Sequence, residues 1–407
     1  MSHAPELITD AEHLARILAA VPRLPARRVA LADGGWVGDV LGRALAADVC
    51  SGVDLPGFTN SAMDGYALRA EDAADGELPV VGDIPAGDTR ELTCAPGEAW
   101  RIMTGAPVPS GTTTVVPVEQ SDGGLERVRF TGEVEDGRHI RRRGEDVRIG
   151  DVLLRAGTII APQHVAVIAS AGVDHIEVAP RPRVVVLSTG DELRPAGEAL
   201  QHGQIHDSNG PMLAALVAAV GAELVEVAHV RDDAGEVARV LERAVATADA
   251  VITTGGVSAG AYDVVKAALI EAGEVTFDKV AMQPGKPQGY GTIGDGRIMM
   301  LPGNPVSAFV SAWLYVRHVF GRLSTHPTRL AYVTGRMSAS LGPFGGKRRF
   351  VSAVLRDGEF SLLGPDRGFS HAASTLHRAN VLLIVEPDTA AAEGDEMRAI
   401  AIDRSAV

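Results

Sequence analysis

Five carboxylates, Asp191, Glu192, Asp232, Asp233 and Asp263, lie in or just beyond loops that follow strand-like runs. Carboxylate oxygens are hard ligands that suit Mg²⁺, which binds through one or two side chains and keeps several waters. Each of these residues can equally cap a helix or sit solvated; their common placement after strands is what points to a metal. GlyGlyValSerAlaGly at 255–260 stands between a strand and a helix. Backbone N–H groups around Gly255, Gly256 and Ser258, with the helix N-terminus behind them, favour a phosphate or another oxyanion. The alternative reading of that loop is a tight strand-to-helix turn. ProGlyLysPro at 284–287 and ProGlyAsnPro at 302–305 flank one expected hairpin. Pro fixes φ and Gly permits close backbone approach, so both turns can hold the edge of a rigid ligand. The second opens a helix, with Asn304 at the N-cap and Pro305 at the first helical position.

The elements that must position these residues alternate from about Arg183 to Arg322. Strands are expected from Arg183, Glu223, Ala250 and Arg297. Helices are expected just after 207–209, over 235–248, over 263–272 and from Asn304, the last with a stripe of Phe309, Trp313 and Val316. Such a βαβ array predicts a largely parallel sheet, and open parallel sheets bind ligands outside the carboxyl ends of their strands. Before it, residues 48–143 read as short strands with Gly, Pro and Asp turns, followed by a helix over 162–171. After it, 350–355 and 381–385 read as strands of a second β module. The chain opens on an amphipathic helix with Ala11, Leu14, Ile17 and Leu18 on one face.

At 407 residues with 46% hydrophobic content, the chain is long enough for two to four domains with real cores. The net charge of −14 argues against nucleic acid as the main partner and requires a locally positive pocket for any anionic ligand. Basic residues are lopsided, 34 Arg against 4 Lys, and two of those lysines, Lys279 and Lys286, flank one loop. A lysine in such a chain marks a place that uses a compact point charge. The two cysteines, Cys50 and Cys94, form no thiolate metal pattern and fit a reducing cytoplasm. The acidic N-terminus is unlike a signal peptide, and no apolar run is long enough to span a membrane. A GlyxGlyxxGly fingerprint, a Walker A loop, GlyxSerxGly, HisGluxxHis and CysxxCys are all missing, which leaves dinucleotide, triad and zinc chemistry without support.

Taken together, several strings resemble the molybdopterin molybdenumtransferase family, the bacterial MoeA type that also forms the C-terminal domain of gephyrin. They are 55–67 (LeuProGlyPheThrAsnSerAlaMetAspGlyTyrAla), 102–109, 142–146, 188–193, 203–209, 254–263, 284–287 and 301–308, in that order over roughly residues 10–390. The resemblance implies a multidomain α/β plus β fold. It has an N-terminal helical linker domain (1–47 and 147–180), a β-rich module (48–146), a parallel-sheet molybdopterin-binding α/β domain (181–325) and a C-terminal β-barrel-like module (326–407). It further implies Mg²⁺-assisted insertion of molybdate into adenylylated molybdopterin with release of AMP. The expected setting is a homodimer whose cleft forms between two chains, supplied by a molybdopterin adenylyltransferase partner. Positions that match the family's functional residues are Asp64, Thr104, Asp146, Glu192, Asp232, Asp263, Lys279, Lys286, Pro302 and Pro305, with Arg349 and Ser370 as further ligands. Glu192, Asp232 and Asp263 form the implied metal set. Gln283 stands where the family usually has Arg or Lys, and Thr113 where it usually has Asp. A gephyrin-like scaffold and a non-catalytic molybdopterin binder are the competing readings.

Overall fold

The computed structural model describes residues 7–31, 36–256, 264–324, 329–364, 373–403 and 406. The chain divides into two compact units, one of Met1–Arg27, Gly42–Ala44 and Ala179–Val407, the other of Arg28–Leu41 and Leu45–Val178.

In the first unit, helix α1 (Asp10–Ala20) precedes β1 (Arg183–Thr189), α2 (Asn209–Ala219), β2 (Glu223–Val230), α3 (Ala234–Thr247) and β3 (Ala250–Thr254). There follow α4 (Val264–Ala272), β4 (Glu274–Lys279), β5 (Pro287–Ile293), β6 (Gly296–Leu301) and α5 (Pro305–Ser311). The strands form one sheet in the order β2-β1-β3-β6-β5-β4. β1 and β3 are buried at nearly every position because helices cover both faces of the sheet. Alternate residues serve opposite cores: Val184, Val186, Ile252 and Met299 pack on one side, Val185, Leu187, Val251 and Met300 on the other. The sheet is parallel over four of its six strands, as expected, and mixed at the edge where the expected hairpin lies. β2, β1, β3 and β6 are parallel, whereas β5 pairs antiparallel with both β6 and β4. The reason is connection length. β5 reaches β6 through Gly294 and Asp295 alone, and a parallel crossover needs about a dozen residues.

C-terminal to this sheet, strands Arg348–Arg356, Glu359–Leu362, Tyr332–Met337, Glu396–Ala401 and Val381–Val385 pair in that order, and the first also pairs with the last. The sheet therefore closes into a barrel, filled by Met337, Phe360, Leu383 and their neighbours. The second unit holds a five-stranded sheet in the order Thr114–Pro117, Gly65–Leu68, Ala99–Ile102, Glu77–Ile84, Arg127–Arg129. Separate apolar clusters contain Tyr66, Leu68 and Val128 and, in the other case, Ile84, Ile102 and Val115. A third cluster gathers Val29, Leu45, Ile168 and Val178, the Ile168 coming from helix Pro162–Ser170.

Two helical faces differ from the expected stripes. On α1, Ala11 is exposed and His13 is buried instead, beside Ile17. The His13 Nδ1 lies 2.9 Å from an Asp278 oxygen, and the ring meets Tyr290 and Tyr315 edge-on. After α5, the wide turn at Ala312–Val316 rotates the helix surface. Val310, Leu314 and Val316 therefore face the core, while Phe309 and Trp313 stack half-buried under the Arg317 guanidinium.

Burial lowers the His13 pKa, and the contact with Asp278 opposes this only in part. The unfolded chain then binds more protons at mildly acid pH. The contribution of His13 to stability is complete above its unfolded value of about 6.5 and is lost as pH falls through the lower folded value. Thermal melts should show the wild-type midpoint falling between about pH 7.5 and about pH 5.5. His13→Gln, which can still donate to Asp278, should fall less; an equal fall would remove His13 as the cause.

Candidate functional site

A pocket of about 580 Å³ opens at the carboxyl ends of β1, β3 and β6. Thr189, Gly190 and Glu192 enter it after β1, and Asp232 enters after β2. Thr254, Gly255 and Gly256 follow from β3, and Pro302, Asn304 and Pro305 from β6. Its floor is a set of buried polar contacts between strand ends. Thr189 Oγ1 donates to the Thr254 carbonyl at 3.3 Å, and Thr254 Oγ1 to the Pro302 carbonyl at 3.2 Å. Gly255 N donates to the Leu301 carbonyl at 3.2 Å. Gly255 has φ +95°, and a Cβ there would stand 2.5 Å from Thr189 Oγ1. That position therefore requires glycine.

Asn209, to which the sequence reading gave no role, ties these ends together. Its Nδ2 donates to Thr254 Oγ1 at 2.9 Å and to the Gly303 carbonyl at 2.6 Å. Since a carbonyl only accepts, the Gly303 contact fixes which way the amide points. The signal for it was present in the string at 203–209. Asp207 accepts from the backbone N–H groups of Asn209 and Gly210, both at 3.0 Å, so α2 begins at Asn209, one residue earlier than expected, and faces it inward. Asn304 stands at the N-cap of α5 with extended backbone, as expected, but its side chain makes no cap hydrogen bond.

The five carboxylates do not act alike. Glu192 and Asp232 line the pocket. Asp191 accepts from the Asp232 N–H at 3.3 Å, and Asp233 caps α3 by accepting from the Glu236 N–H at 2.8 Å. Local backbone bonding thus occupies Asp191 and Asp233, as short acidic side chains at loop ends commonly do. Asp263 and Ser258, like Ser370, lie outside the described residues. Among the described residues no group of three or more His, Cys, Asp or Glu side chains is arranged to hold a metal.

Lys279 and Lys286 are exposed at the two ends of the β4–β5 connection, where Val280 N donates to the Lys286 carbonyl at 2.8 Å. Pro287, next in sequence, lines the pocket. Arg349 is buried in the barrel, where its Nη1 donates to the Gly342 carbonyl at 3.0 Å, and it does not line the pocket. In the second unit, Asp64 and Thr104 meet: the Thr104 N–H donates to Asp64 Oδ1 at 2.6 Å, a bond that holds the Asp64 carboxyl below its usual range. Asp146 is exposed on the loop after strand Ile140–Arg141, which pairs with Asn60–Ser61. A second cavity of about 540 Å³ lies between α1 and the barrel. Its Arg348 is already bonded to both Asp10 and Glu386, and much of its wall is apolar.

Comparison with known proteins agrees with this geometry. The profile of the MoeA N-terminal region (domain I and II) matches residues 8–172, and that of a probable molybdopterin binding domain matches 185–322. Molybdopterin molybdenumtransferase 2 of Mycobacterium tuberculosis (strain H37Rv) is 45% identical over 365 residues, covering 85% of this chain and 89% of its own. Molybdopterin molybdenumtransferase of Haemophilus influenzae is 34% identical over 357 residues, covering 85% and 87%. The crystal structure of the molybdopterin biosynthesis MoeA protein from Pyrococcus horikoshii superposes with a TM-score of 0.84 at 26% identity, over 97% of this chain and 99% of that one. A pocket built at these strand ends, in a chain related to these enzymes over most of its length, belongs to a member of the MoeA family of molybdopterin molybdenumtransferases.

Proposed function

We propose that this transferase inserts molybdate into adenylylated molybdopterin, releasing AMP and leaving molybdenum-molybdopterin. The observation that carries the reading is the pocket floor. Rigid, cross-bonded strand ends present the Gly255–Gly256 backbone and two carboxylates to one space. Preorganised amides of this kind stabilise oxyanions without reorganising during reaction. Glu192 and Asp232 fit Mg²⁺ in donor chemistry, and two carboxylates suffice for an ion that takes its remaining ligands from water and substrate phosphate. When bound, that ion would neutralise charge at the adenylyl phosphate. The chain itself binds and orients: Gly255, its own N–H given to Leu301, shapes the loop, while the Gly256 amide and Lys286 hold phosphate oxygens. The pterin dithiolate displaces molybdate oxygen as water, and water adds to the phosphoanhydride to release AMP, so no protein nucleophile is needed. Incubation with adenylylated molybdopterin, molybdate and Mg²⁺ should release AMP. Tight pterin binding without AMP release would instead support a sequestering protein, and neither would support a scaffold.

Lys286→Ala is expected to weaken binding of the adenylylated pterin, measured by calorimetry, more than it slows turnover at saturation. In so acidic a chain a compact point charge on this turn has few equivalents, there being four lysines in all. Unchanged affinity would remove the lysine from the site.

The same reading includes a homodimer, in which Asp64, Thr104 and Asp146 of one chain complete the pocket of another, and a four-part division of the subunit. The separate apolar cores in each compact unit support that finer division. Light scattering at micromolar concentration should give twice 42.4 kDa; a fully active monomer would overturn the shared site. Two free cysteines, Cys50 and Cys94, support a cytoplasmic setting, where an adenylyltransferase partner would supply the substrate.

A further inference from the structure

Gln288 is a fully buried carboxamide at the start of β5, 1% exposed, on the face of the strand that also carries Tyr290. Its Nε2 donates to the Gly285 carbonyl at 2.6 Å and to Ser311 Oγ at 2.6 Å. Ser311 is itself fully buried at the end of α5, the helix that begins at Pro305 in the pocket. Gly285 has φ +101°, and a Cβ there would lie 3.0 Å from Ser311 Oγ and 3.1 Å from Gln288 Nε2. The clasp thus presses directly on the turn that carries Lys286. A buried amide without partners is costly, and an apolar residue of the same shape would serve packing as well. What the amide adds is a fixed distance between the 284–287 turn and the helix of the 302–305 turn.

We infer that Gln288 is a positioning residue for Lys286, and that through Ser311 it holds the lysine turn in register with the pocket loop at Pro302–Pro305. The inference rests on the assignment of Lys286 as a phosphate contact. It explains why an exposed lysine on a short turn can present its charge at a defined place. The carbonyl of Gly285 is bonded on one side of Lys286, and the carbonyl of Lys286 itself accepts from Val280 N. The backbone is therefore fixed while the side chain remains free to reach a ligand.

A double-mutant cycle tests it, with adenylylated molybdopterin as the calorimetric probe and AMP release as the rate. Gln288→Leu should weaken binding by about fivefold while turnover at saturation changes far less. In the Lys286→Ala background the same substitution should have no further effect on affinity, since it acts through the lysine. Ser311→Ala, which removes the clasp from the other side with little change in volume, should reproduce the loss and its disappearance, and it carries the test if Gln288→Leu does not fold. If Lys286→Ala weakens binding but the Gln288 and Ser311 variants bind normally, or if their losses add to that of Lys286→Ala, the positioning role is overturned and the lysine assignment stands. If Lys286→Ala binds as wild type, the lysine assignment fails first and takes this inference with it.

Discussion

Replacing Asp263 by Asn is expected to cut AMP release by on the order of 10²-fold or more, with folding and pterin binding close to native. Asp263 lies outside the described residues; the expectation rests on its sequence position, directly before α4 and after the Gly255–Gly256 loop. Asn keeps the size and capping ability of Asp but lacks the charge that a hard divalent cation prefers. Glu192→Gln is the companion substitution, because Glu192 lines the pocket opposite the same loop. Both variants should need more Mg²⁺ for half-maximal AMP release. A thermal melt beside a Mg²⁺ titration checks this. Wild-type rates with wild-type Mg²⁺ dependence in both would dissolve the metal assignment and leave Asp263 as a helix cap.

Gly255→Ala should have the next largest effect, a fall in pterin affinity of roughly 10- to 100-fold. The added methyl would meet Thr189 Oγ1 at 2.5 Å and the Thr189 carbonyl at 2.8 Å. A hydroxyl can rotate away, but the carbonyl belongs to the end of a central strand and cannot. The loop must move, and its bond to Leu301 and its amides move with it. Gly294→Ala is the control. Gly294 also has positive φ, at +55°, but a Cβ there meets nothing within 4 Å, and it sits in the β5–β6 hairpin. That variant should lose some stability through backbone strain and bind the pterin normally. Equal binding by both variants would show that the Gly255 loop does not touch the ligand.

Much of this was legible in the sequence where the signal is local. Apolar runs ending in Gly, Asp or Pro marked β1, β2, β3 and β6, and Pro305 marked the start of α5, because strand burial and proline geometry leave their trace within a few residues. The pocket loops could be named for the same reason. Contacts that depend on distant partners left no such trace. His13 reads as a polar break in an apolar stripe until Asp278 is placed beside it. Gln288 reads as a surface residue until Ser311 comes under it. Asp191 and Asp233 have the composition of metal ligands, and only their bonds to neighbouring backbone N–H groups show that they shape loops. Gln283, a departure from the family pattern, pairs in register with Arg349 of the barrel, a neighbour that composition could not supply.

The bracing of the lysine loop by the first helix bears on the order in which the chain is made. Ile8 exchanges backbone hydrogen bonds with Lys279 and Ala281, and His13 meets Asp278 across 265 residues of sequence. The segment that supports this loop thus leaves the ribosome well before the partner it must find. Every residue of the second unit, Arg28–Leu41 and Leu45–Val178, is synthesised in between. At the roughly 5–20 residues per second of translation, α1 waits for many seconds with Ile17 and Leu14 uncovered. The second unit has its own cores and can fold during that interval, whereas the first unit closes only after both of its separated pieces have emerged. A chain that stalls before β4 would therefore present a finished second unit tethered to an unclosed first one, the species most in need of a chaperone.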